Sequence, residues 1–403
     1  MNDPTAAARE YMLPFKGLRV IDLTQGLAGP FCAMLLGHYG ATVIKVEPPE
    51  GDWSRTLGAP TGDRTPAYAT CNRGKQAICI DLKKPEGRDA VLKLAESAAV
   101  FLESNRPGIA DRLGVGYAAV RQVSPDVVYG SVTGFGQTGP YAERPATDAI
   151  LQAFTGLMSR NRGDDGQPRR IGYAVPDYTT GLMAYQSVST ALYAKAMGQG
   201  GRHLDISLMR SMLFFQQQGL NQEAVEPGSS LTPVESSPVP PTGTYQAADG
   251  PVNISIIREK FYQALCRVLD LPSAASDQRF STLAARRENE GVLRTILAEA
   301  IGQWRRDELC AALHAADVPH SPVHDYGSVV RDAHVQAAGT LSWLPDPVLG
   351  AMPAVNLPGT EPLREGGPHA VAPRQGEHTD QVLIEAGFSE DAIAQMRASG
   401  AVA

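Results

Sequence analysis

Apolar runs and amphipathic stretches alternate along the first half of the chain. Apolar residues at 18–23 and 42–47 predict two strands, and the stretch from Phe31 to His38 predicts a short helix between them. Further strands are predicted at 76–81, 100–103, 127–132 and 203–207. Strands that alternate with helices are typical of a parallel sheet covered on both faces, so the pattern predicts an α/β fold.

The pattern changes after residue 225. Segments rich in Pro, Ser and Gly at 226–230 and 236–243 predict a linker, and a hairpin turn is predicted at Asp249-Gly250. Three helical segments follow the hairpin, and from about residue 335 the chain is again rich in Pro and Gly before two helices at its end. We therefore predict a large first part over 1–225, a small α+β domain with linkers over 226–335, and a C-terminal segment over 336–403.

Composition narrows the class of protein. The 403 residues carry a net charge of −7 and no Lys/Arg-rich block, which argues against a nucleic-acid partner. The five cysteines show no CxxC pair, as expected for reduced thiols in a cytosolic protein. The N-terminal residues lack the pattern of a signal peptide and no apolar run is long enough to span a membrane, so we expect a cytoplasmic protein without a membrane partner.

Three common kinds of catalytic or cofactor site are not supported by the motifs. The GxGxxG string Gly134–Gly139 follows a strand, but Pro140 and Pro145 come next instead of a helix, so we expect neither NAD nor FAD. His320 and His324 are separated by Pro322, so they cannot share a regular helical face, and no cluster of carboxylates or cysteines completes a metal site. No metal is therefore predicted. A GxSxG nucleophile elbow is also absent from the sequence.

Asp177 has two interpretations that are compatible with each other. It follows Pro176 and precedes an amphipathic stretch that runs to about Met197, so it can be the N-cap of a helix. A carboxylate at a helix N-terminus is also oriented and kept ionised, as a nucleophile must be. Basic residues in the loops 72–75 and 105–108 are either solvated charges or ligand contacts, and the pattern alone leaves this open.

From about Leu13 to the C-terminus the chain resembles the family III CoA-transferases, the CaiB/BaiF family that also includes the α-methylacyl-CoA racemases. The resemblance rests on GLRVIDLTQGLAGPFCAMLLGHYGATVIKVEPPEGD (17–52), NRGKQAICIDLKKPEGRDAV (72–91), SVTGFGQTGPYAERPATDAILQAFTGLM (131–158), PDYTTGLMAYQSVSTAL (176–192) and DQRFSTLAARRENEGVL (277–293). It implies a Rossmann-like large domain completed by the C-terminal segment, and two chains that form an interlocked homodimer.

The resemblance also assigns roles to residues. It implies that Asp177 is the nucleophile, which attacks an acyl-CoA thioester and passes CoA to a carboxylic acid through an aspartyl-acyl anhydride and an aspartyl-CoA thioester. The family's CoA contacts fall on Gln25, Leu27, Ala28, Arg73, Lys75, Ser104, Asn105, Arg106 and Arg112. Lys and Arg suit this role because CoA carries a pyrophosphate and a 3′-phosphate.

Departures from the family pattern separate the functional alternatives. The turn Glu103–Arg106 differs from the usual one, which affects the adenine-side contacts. The racemase branch has a His-Asp pair where this chain has Thr147-Asp148, so one of two bases for α-proton exchange is lost and a transferase is favoured over a racemase. Residues 248–253 lack the glycine run of oxalate-using members, which argues against oxalate. A CoA-binding protein without catalysis is the third alternative, and succinate is the donor we expect by analogy.

Overall fold

A parallel sheet organises the larger part of the molecule. The computed structural model describes residues 11–58, 61–163, 165–228 and 239–403. The sheet strands are β1 (Arg19–Asp22), β2 (Thr42–Glu47), β3 (Gln76–Cys79), β4 (Val100–Glu103), β5 (Val128–Thr133) and β6 (Arg202–Ser207). All neighbours are parallel, in the order β3-β2-β1-β4-β5-β6. The predicted α/β class with a parallel sheet is confirmed.

The helices of the first 225 residues lie between these strands or follow them. They are α1 (Ala28–His38), α2 (Pro66–Asn72), α3 (Pro85–Ala95), α4 (Ile109–Arg112), α5 (Tyr117–Val123), α6 (Asp148–Phe154), α7 (Leu157–Arg160), α8 (Val175–Ala194), α9 (Leu208–Phe215) and α10 (Gln217–Val225). A short 3₁₀ helix spans Trp53–Thr56.

The sheet has a separate apolar core on each face because side chains alternate along a strand. In β1, Val20 packs with α1 and α8 on one face, and Ile21 packs with α3 on the other. Val382 and Ile393, close to the C-terminus, join the core that contains Ile21. The end of the chain therefore returns to cover the sheet that its beginning builds.

The C-terminal region contains an antiparallel hairpin that the pattern did not predict. Its strands are β10 (Leu341–Asp346) and β11 (Gly350–Val355), and α17 (Ala333–Ala337), α18 (Thr379–Glu385) and α19 (Glu390–Ala398) complete this region. Pro345 and Pro353 lie within the two strands, which form a ribbon with no further strand beside it among the described residues. Proline is tolerated on such edges but normally argues against a strand, and for that reason the sequence pattern did not indicate these two strands.

A smaller sheet and several helices follow the linker. Its strands are β7 (Gly243–Ala247), β8 (Gly250–Ile254) and β9 (His320–Pro322), and its helices are α11 (Glu259–Val268), α12 (Pro272–Ser276), α13 (Leu283–Glu288), α14 (Glu290–Gly302), α15 (Arg306–Ala315) and α16 (Tyr326–Val329). Ala247 pairs with Gly250, so Ala248 and Asp249 form the hairpin turn; the prediction of Asp249-Gly250 was wrong by one residue.

Residue contacts divide the described chain into two compact units. One lies within 1–158, 169–225 and 334–403, and the other within 159–168 and 226–333. Part of the predicted linker, residues 229–238, lies outside the described residues, as do residues 1–10. Among the helices described here, none combines the length and the hydrophobicity needed to cross a bilayer.

Candidate active site

The main cavity of the larger unit lies where the strand order reverses. Between β1 and β4 the chain connections run in opposite directions, and open α/β sheets bind ligands beyond the carboxyl ends of strands at such a point. A cavity of about 1020 Å³ lies there. It is lined by the loops that follow β1, β4 and β5 and by the first turns of α6 and α8.

Most of the predicted site residues meet in this cavity. The loop after β1, the turn after β4 and the start of α8 contribute Gln25, Leu27, Ala28, Ser104, Asn105, Arg106 and Asp177 to its walls. The first two segments are tied together, because the Gln25 N–H donates to Ser104 Oγ at 3.0 Å. The Asn105 N–H donates to the buried Glu103 carboxylate at 2.8 Å, which fixes the turn that carries Arg106.

The buried Asp52 carboxylate fixes the position of the loop after β1. Its Oδ1 accepts the Gly26 N–H at 3.0 Å, and its Oδ2 forms a fully buried ion pair with Lys45 at 2.6 Å. Gly26 has φ +82°, and a Cβ there would lie 2.1 Å from the Trp53 ring. Glycine is therefore required at this position, where Trp53 closes over the loop as part of the cavity wall.

Three predicted CoA contacts, Lys75, Arg73 and Arg112, lie away from the cavity walls. The Lys75 ammonium is buried and donates to Asp22, Pro30 O and Asn72, each at 2.8 Å, so its three protons are already used inside the protein. The buried Arg73 donates to Ala370 O. The exposed Arg112 ends α4. The internal partners of Lys75 and Arg73 argue against direct contacts of these two side chains with CoA, whereas the contact predicted for Arg112 stays a prediction.

Asp177 is the third residue of α8. The helix begins at Val175 and its N-cap is Ala174, so the N-cap interpretation of Asp177 was wrong. The first turn is fixed by Tyr178, whose ring packs edge-on against Phe31 at 5.1 Å and stacks on Tyr173 at 5.2 Å. The Asp177 carboxyl is therefore presented to the cavity by a braced helix turn instead of capping that turn.

A second carboxyl, Asp148 at the start of α6, lies beside Asp177. Its Oδ2 accepts the Asp177 N–H at 3.4 Å. Burial, and then the negative charge of Asp148, raise the pKa of Asp177 to about 7. Burial also raises the pKa of Asp148. The site thus holds two adjacent carboxyls whose pKa values are both raised, and of the two Asp177 titrates near neutral pH.

Gln152 connects this pair to the segment before α8. The buried Gln152 side chain donates to Asp148 Oδ1 at 2.7 Å and to Tyr173 O at 3.0 Å, and it accepts the Ile171 N–H at 2.8 Å. Sequence analysis missed this residue, although Asp148 and Gln152 are four apart on one helix face, where such pairs interact.

Sequence analysis also missed two arginines of the cavity, Arg144 and Arg170. The Arg144 guanidinium lies over the Tyr141 ring, 3.7 Å from its centre. Neither arginine forms an ion pair within 4.0 Å in the described part of the chain. Both stand in irregular segments, where no periodic pattern indicates the direction of a side chain.

The GxGxxG loop does not open a helix. After β5 the next helix begins at Asp148, so the expectation that this string is not a dinucleotide turn agrees with the geometry. The Gly136 N–H donates to Thr133 Oγ1 at 3.0 Å and the Gln137 N–H to Asp205 at 3.2 Å. The N–H groups of Gly136 and Gln137 are therefore already hydrogen-bonded inside the protein. No cluster of three or more His, Cys, Asp or Glu side chains suited to a metal ion occurs among the described residues.

Comparison with known proteins identifies the class to which this fold and site belong. Residues 15–379 match the model of CoA-transferase family III. The chain is 34% identical over 390 residues to a succinate–glutarate CoA-transferase of Agrobacterium fabrum, covering 92% of this chain and 95% of that protein. It is 36% identical over 315 residues to an acetyl-CoA:oxalate CoA-transferase of Acetobacter aceti, covering 77% and 81% of the two chains.

A solved structure has the same fold. The crystal structure of a CaiB/BaiF family protein from Brucella suis superposes with a TM-score of 0.82 at 32% identity, over 93% of this chain and all of that chain. The chain therefore belongs to CoA-transferase family III, and it is an enzyme of the CoA-transferase class. The resemblance to this family that the sequence motifs indicated is confirmed.

Proposed function

We propose that this enzyme moves CoA from an acyl-CoA to a carboxylic acid, with Asp177 as the covalent nucleophile. The observation that carries the proposal is the position of Asp177, whose carboxyl faces a large cavity at the switch point of the sheet beside a second carboxyl. A carboxylate placed there can reach a thioester while the nucleotide part of CoA lies over the strand ends.

The exchange conserves the energy of the thioester bond. An Asp177 oxygen attacks the donor thioester carbon, the C–S bond breaks, and an aspartyl-acyl anhydride and CoA thiolate result. The thiolate then attacks the Asp177 carbonyl, which releases the donor acid and leaves an aspartyl-CoA thioester. The acceptor carboxylate attacks that thioester to form a new anhydride, and the returning thiolate attacks the acceptor carbonyl, which yields the new acyl-CoA and frees Asp177.

The pKa of Asp177 suits this chemistry. At about 7 it leaves a large fraction of the carboxyl ionised at neutral pH, and the ionised form is the nucleophile. A carboxylate of raised pKa is also more basic, and therefore a stronger nucleophile, than an ordinary aspartate. We expect the rate of acylation to rise with pH through this pKa.

The cavity walls are consistent with acyl-CoA as substrate. The loop after β1 and the turn after β4 present backbone groups and Arg106, which can bind phosphate oxygens. Leu57 and Trp53 offer exposed apolar surface along the same wall, and Trp53 is 50% exposed. Such a mixture fits a ligand that combines phosphates with a long pantetheine arm.

Exposed apolar side chains support an interlocked homodimer. Tyr193, Phe214 and Phe215 are 69%, 63% and 61% exposed in the single chain, and Val225 is 79% exposed. Apolar side chains exposed along successive helices are typical of a protein interface. A second copy is the partner we propose. The free state of all five cysteines fits the expected cytoplasmic location.

The experiment that tests the nucleophile is Asp177→Asn, with Asp177→Ala beside it. Both should reduce CoA transfer by about a thousandfold or more, because no carboxylate remains to form the anhydride. Asp89→Asn, on the exposed face of α3, is the matched control and should keep full activity. A correctly folded Asp177 variant that still transfers CoA at the native rate would refute the proposal.

A folding measurement separates lost chemistry from lost structure. Folding raises the pKa of Asp177, so the native state binds that proton more tightly than the unfolded chain and loses stability as pH rises from about 4 to about 7. Asp177→Asn removes this cost. The variant should melt at the same temperature as the native protein at pH 4 and at a higher temperature at pH 8.

A separate measurement tests the racemase alternative. Exchange of the α-proton of an acyl-CoA in deuterated water without an acceptor acid would favour a racemase over a transferase.

A further inference from the structure

Three guanidinium groups face the cavity, and they occupy different parts of it. Arg106 lies in the turn after β4, Arg144 lies between the GxGxxG loop and α6, and Arg170 lies in the segment that leads into α8. None of them forms an ion pair within 4.0 Å among the described residues. Each is therefore available to an anionic group of a bound substrate.

Arg170 is the arginine held beside the reacting carboxyls. Gln152 accepts the Ile171 N–H at 2.8 Å and donates to Ile171 O at 3.3 Å, so the residue after Arg170 is fixed to α6. The same Gln152 amide donates to Asp148, whose other oxygen accepts the Asp177 N–H. One buried side chain thus fixes the positions of the Arg170 segment, Asp148 and the start of α8 relative to one another.

The charges agree with this arrangement. Burial raises the pKa of Asp148, while hydrogen bonds from Gln152 and from the Asp177 N–H, and then the charge of Arg170, lower it. Asp148 in turn raises the pKa of Asp177. Because Arg170 lines the same cavity as Asp177 and precedes the residue that Gln152 fixes to α6, we place it near the acyl group, whereas the whole pantetheine arm separates the CoA phosphates from the reacting bond.

We propose that Arg170 binds the second carboxylate of a dicarboxylic acyl group while the first is joined to Asp177. The substrate class is then the short-chain dicarboxylic acids and their mono-CoA thioesters, and Arg170 is the residue that distinguishes them from monocarboxylic acids. A guanidinium suits this role because it pairs with a carboxylate through two parallel hydrogen bonds. The inference rests on the proposed function of Asp177.

The first half-reaction tests the proposal without an acceptor acid. Hydroxylamine attacks the Asp177 carbonyl of the anhydride or of the aspartyl-CoA thioester, which leaves a hydroxamate on Asp177 and prevents a second turnover. The free CoA released in that single turnover therefore measures acylation alone. Succinyl-CoA and butyryl-CoA are the matched probes, because both acyl groups have four carbons and only succinyl carries the second carboxylate. The native enzyme should favour succinyl-CoA.

Arg170→Met should lower acylation by succinyl-CoA about 30- to 100-fold and acylation by butyryl-CoA by about threefold or less. Arg170→Lys should recover part of the loss, since it restores the charge but not the paired geometry. Arg144→Met should reduce both donors to the same extent. Equal loss of both donors in Arg170→Met, or no preference for succinyl-CoA in the native enzyme, would overturn the inference. Acylation that persists in Asp177→Asn would instead overturn the proposed function, and the inference with it.

Discussion

Two sets of cations in the larger unit behave in opposite ways. Beneath the loop after β1, Lys45 pairs with Asp52 at 2.6 Å and Lys75 pairs with Asp22 at 2.8 Å, and both pairs are almost fully buried. In the cavity above, the arginines at 106, 144 and 170 have no such partners among the described residues. The buried lysines brace the site, and the cavity arginines are free to bind a substrate.

The sequence alone could not show which basic residues form buried ion pairs and which face the cavity. Lys75 and Arg106 both lie in short loops next to strands, and both were predicted to contact CoA. Only the fold shows that three acceptors surround Lys75, while Arg106 extends from the turn after β4. A charge at a strand end is therefore ambiguous until its neighbours in space are known.

The largest effect should follow from removing a buried partner. Lys75→Met leaves the buried Asp22 carboxylate without its ammonium and should lower the free energy of unfolding by about 3–5 kcal/mol. Burial would raise the pKa of Asp22, but the charges of Lys75 and Lys45 outweigh burial and lower that pKa. Asp22 is therefore ionised in the native protein, and the variant leaves this buried negative charge without its main partner. Thermal and urea unfolding measure the loss.

A surface pair provides the control for this variant. Lys93 and Glu96 lie 2.7 Å apart, but their side chains are 48% and 47% exposed. Lys93→Met should change stability by less than about 0.5 kcal/mol. If Lys75→Met is as stable as Lys93→Met and only raises KM for CoA, then Lys75 is a ligand and the division between the two sets of cations is wrong.

A smaller effect, on binding instead of stability, is expected for Arg106→Met. The exposed Arg106 guanidinium forms no ion pair with the residues that the structure describes, so the melting temperature should stay within about one degree of the native value. KM for the acyl-CoA should rise about 10- to 50-fold, as for the loss of one charge-assisted contact with a phosphate. Steady-state kinetics check this. An unchanged KM together with a lower melting temperature would show that Arg106 stabilises the protein, as Lys45 and Lys75 do, and does not bind the substrate.

The smallest expected effect is a shift in a pH profile. Asp148→Asn keeps an oxygen for the Asp177 N–H but removes the negative charge that raises the pKa of Asp177. The pKa of Asp177 should fall, so the acid limb of kcat/KM should move down by about one pH unit. Asp89→Asn should leave the limb unchanged. An upward shift in Asp148→Asn would contradict the coupling of the two carboxyls.

Much of the large fold could be predicted because its strands are buried on both faces. β4 begins with the apolar run Val-Phe-Leu and half of the residues of β2 are Val or Ile, and the helices predicted between the strands indicated the parallel class. The hairpin of β10 and β11 was not predicted, because Pro345 and Pro353 interrupt the alternating pattern of its strands.

The site residues that lie in family motifs could be predicted from the sequence, and the other site residues could not. Asp177 and the loop containing Gln25 lie in segments that match the family, and the fold brings both to one cavity. Gln152 and Arg170 were missed, because a glutamine inside a helix and an arginine in a loop acquire their meaning only from what they contact. Sequence spacing shows which residues are neighbours along the chain, whereas the residues of this site come from distant segments that meet only in the folded protein.

Direct identification of the covalent intermediate tests the central claim. The native enzyme is incubated with succinyl-CoA and hydroxylamine without an acceptor acid, digested, and examined by mass spectrometry of the peptide that contains Asp177. We expect a hydroxamate on Asp177, formed only when succinyl-CoA is present, and none on Asp148 or in Asp177→Asn. An unmodified Asp177 peptide during active CoA transfer, or a hydroxamate on another residue, would contradict the account.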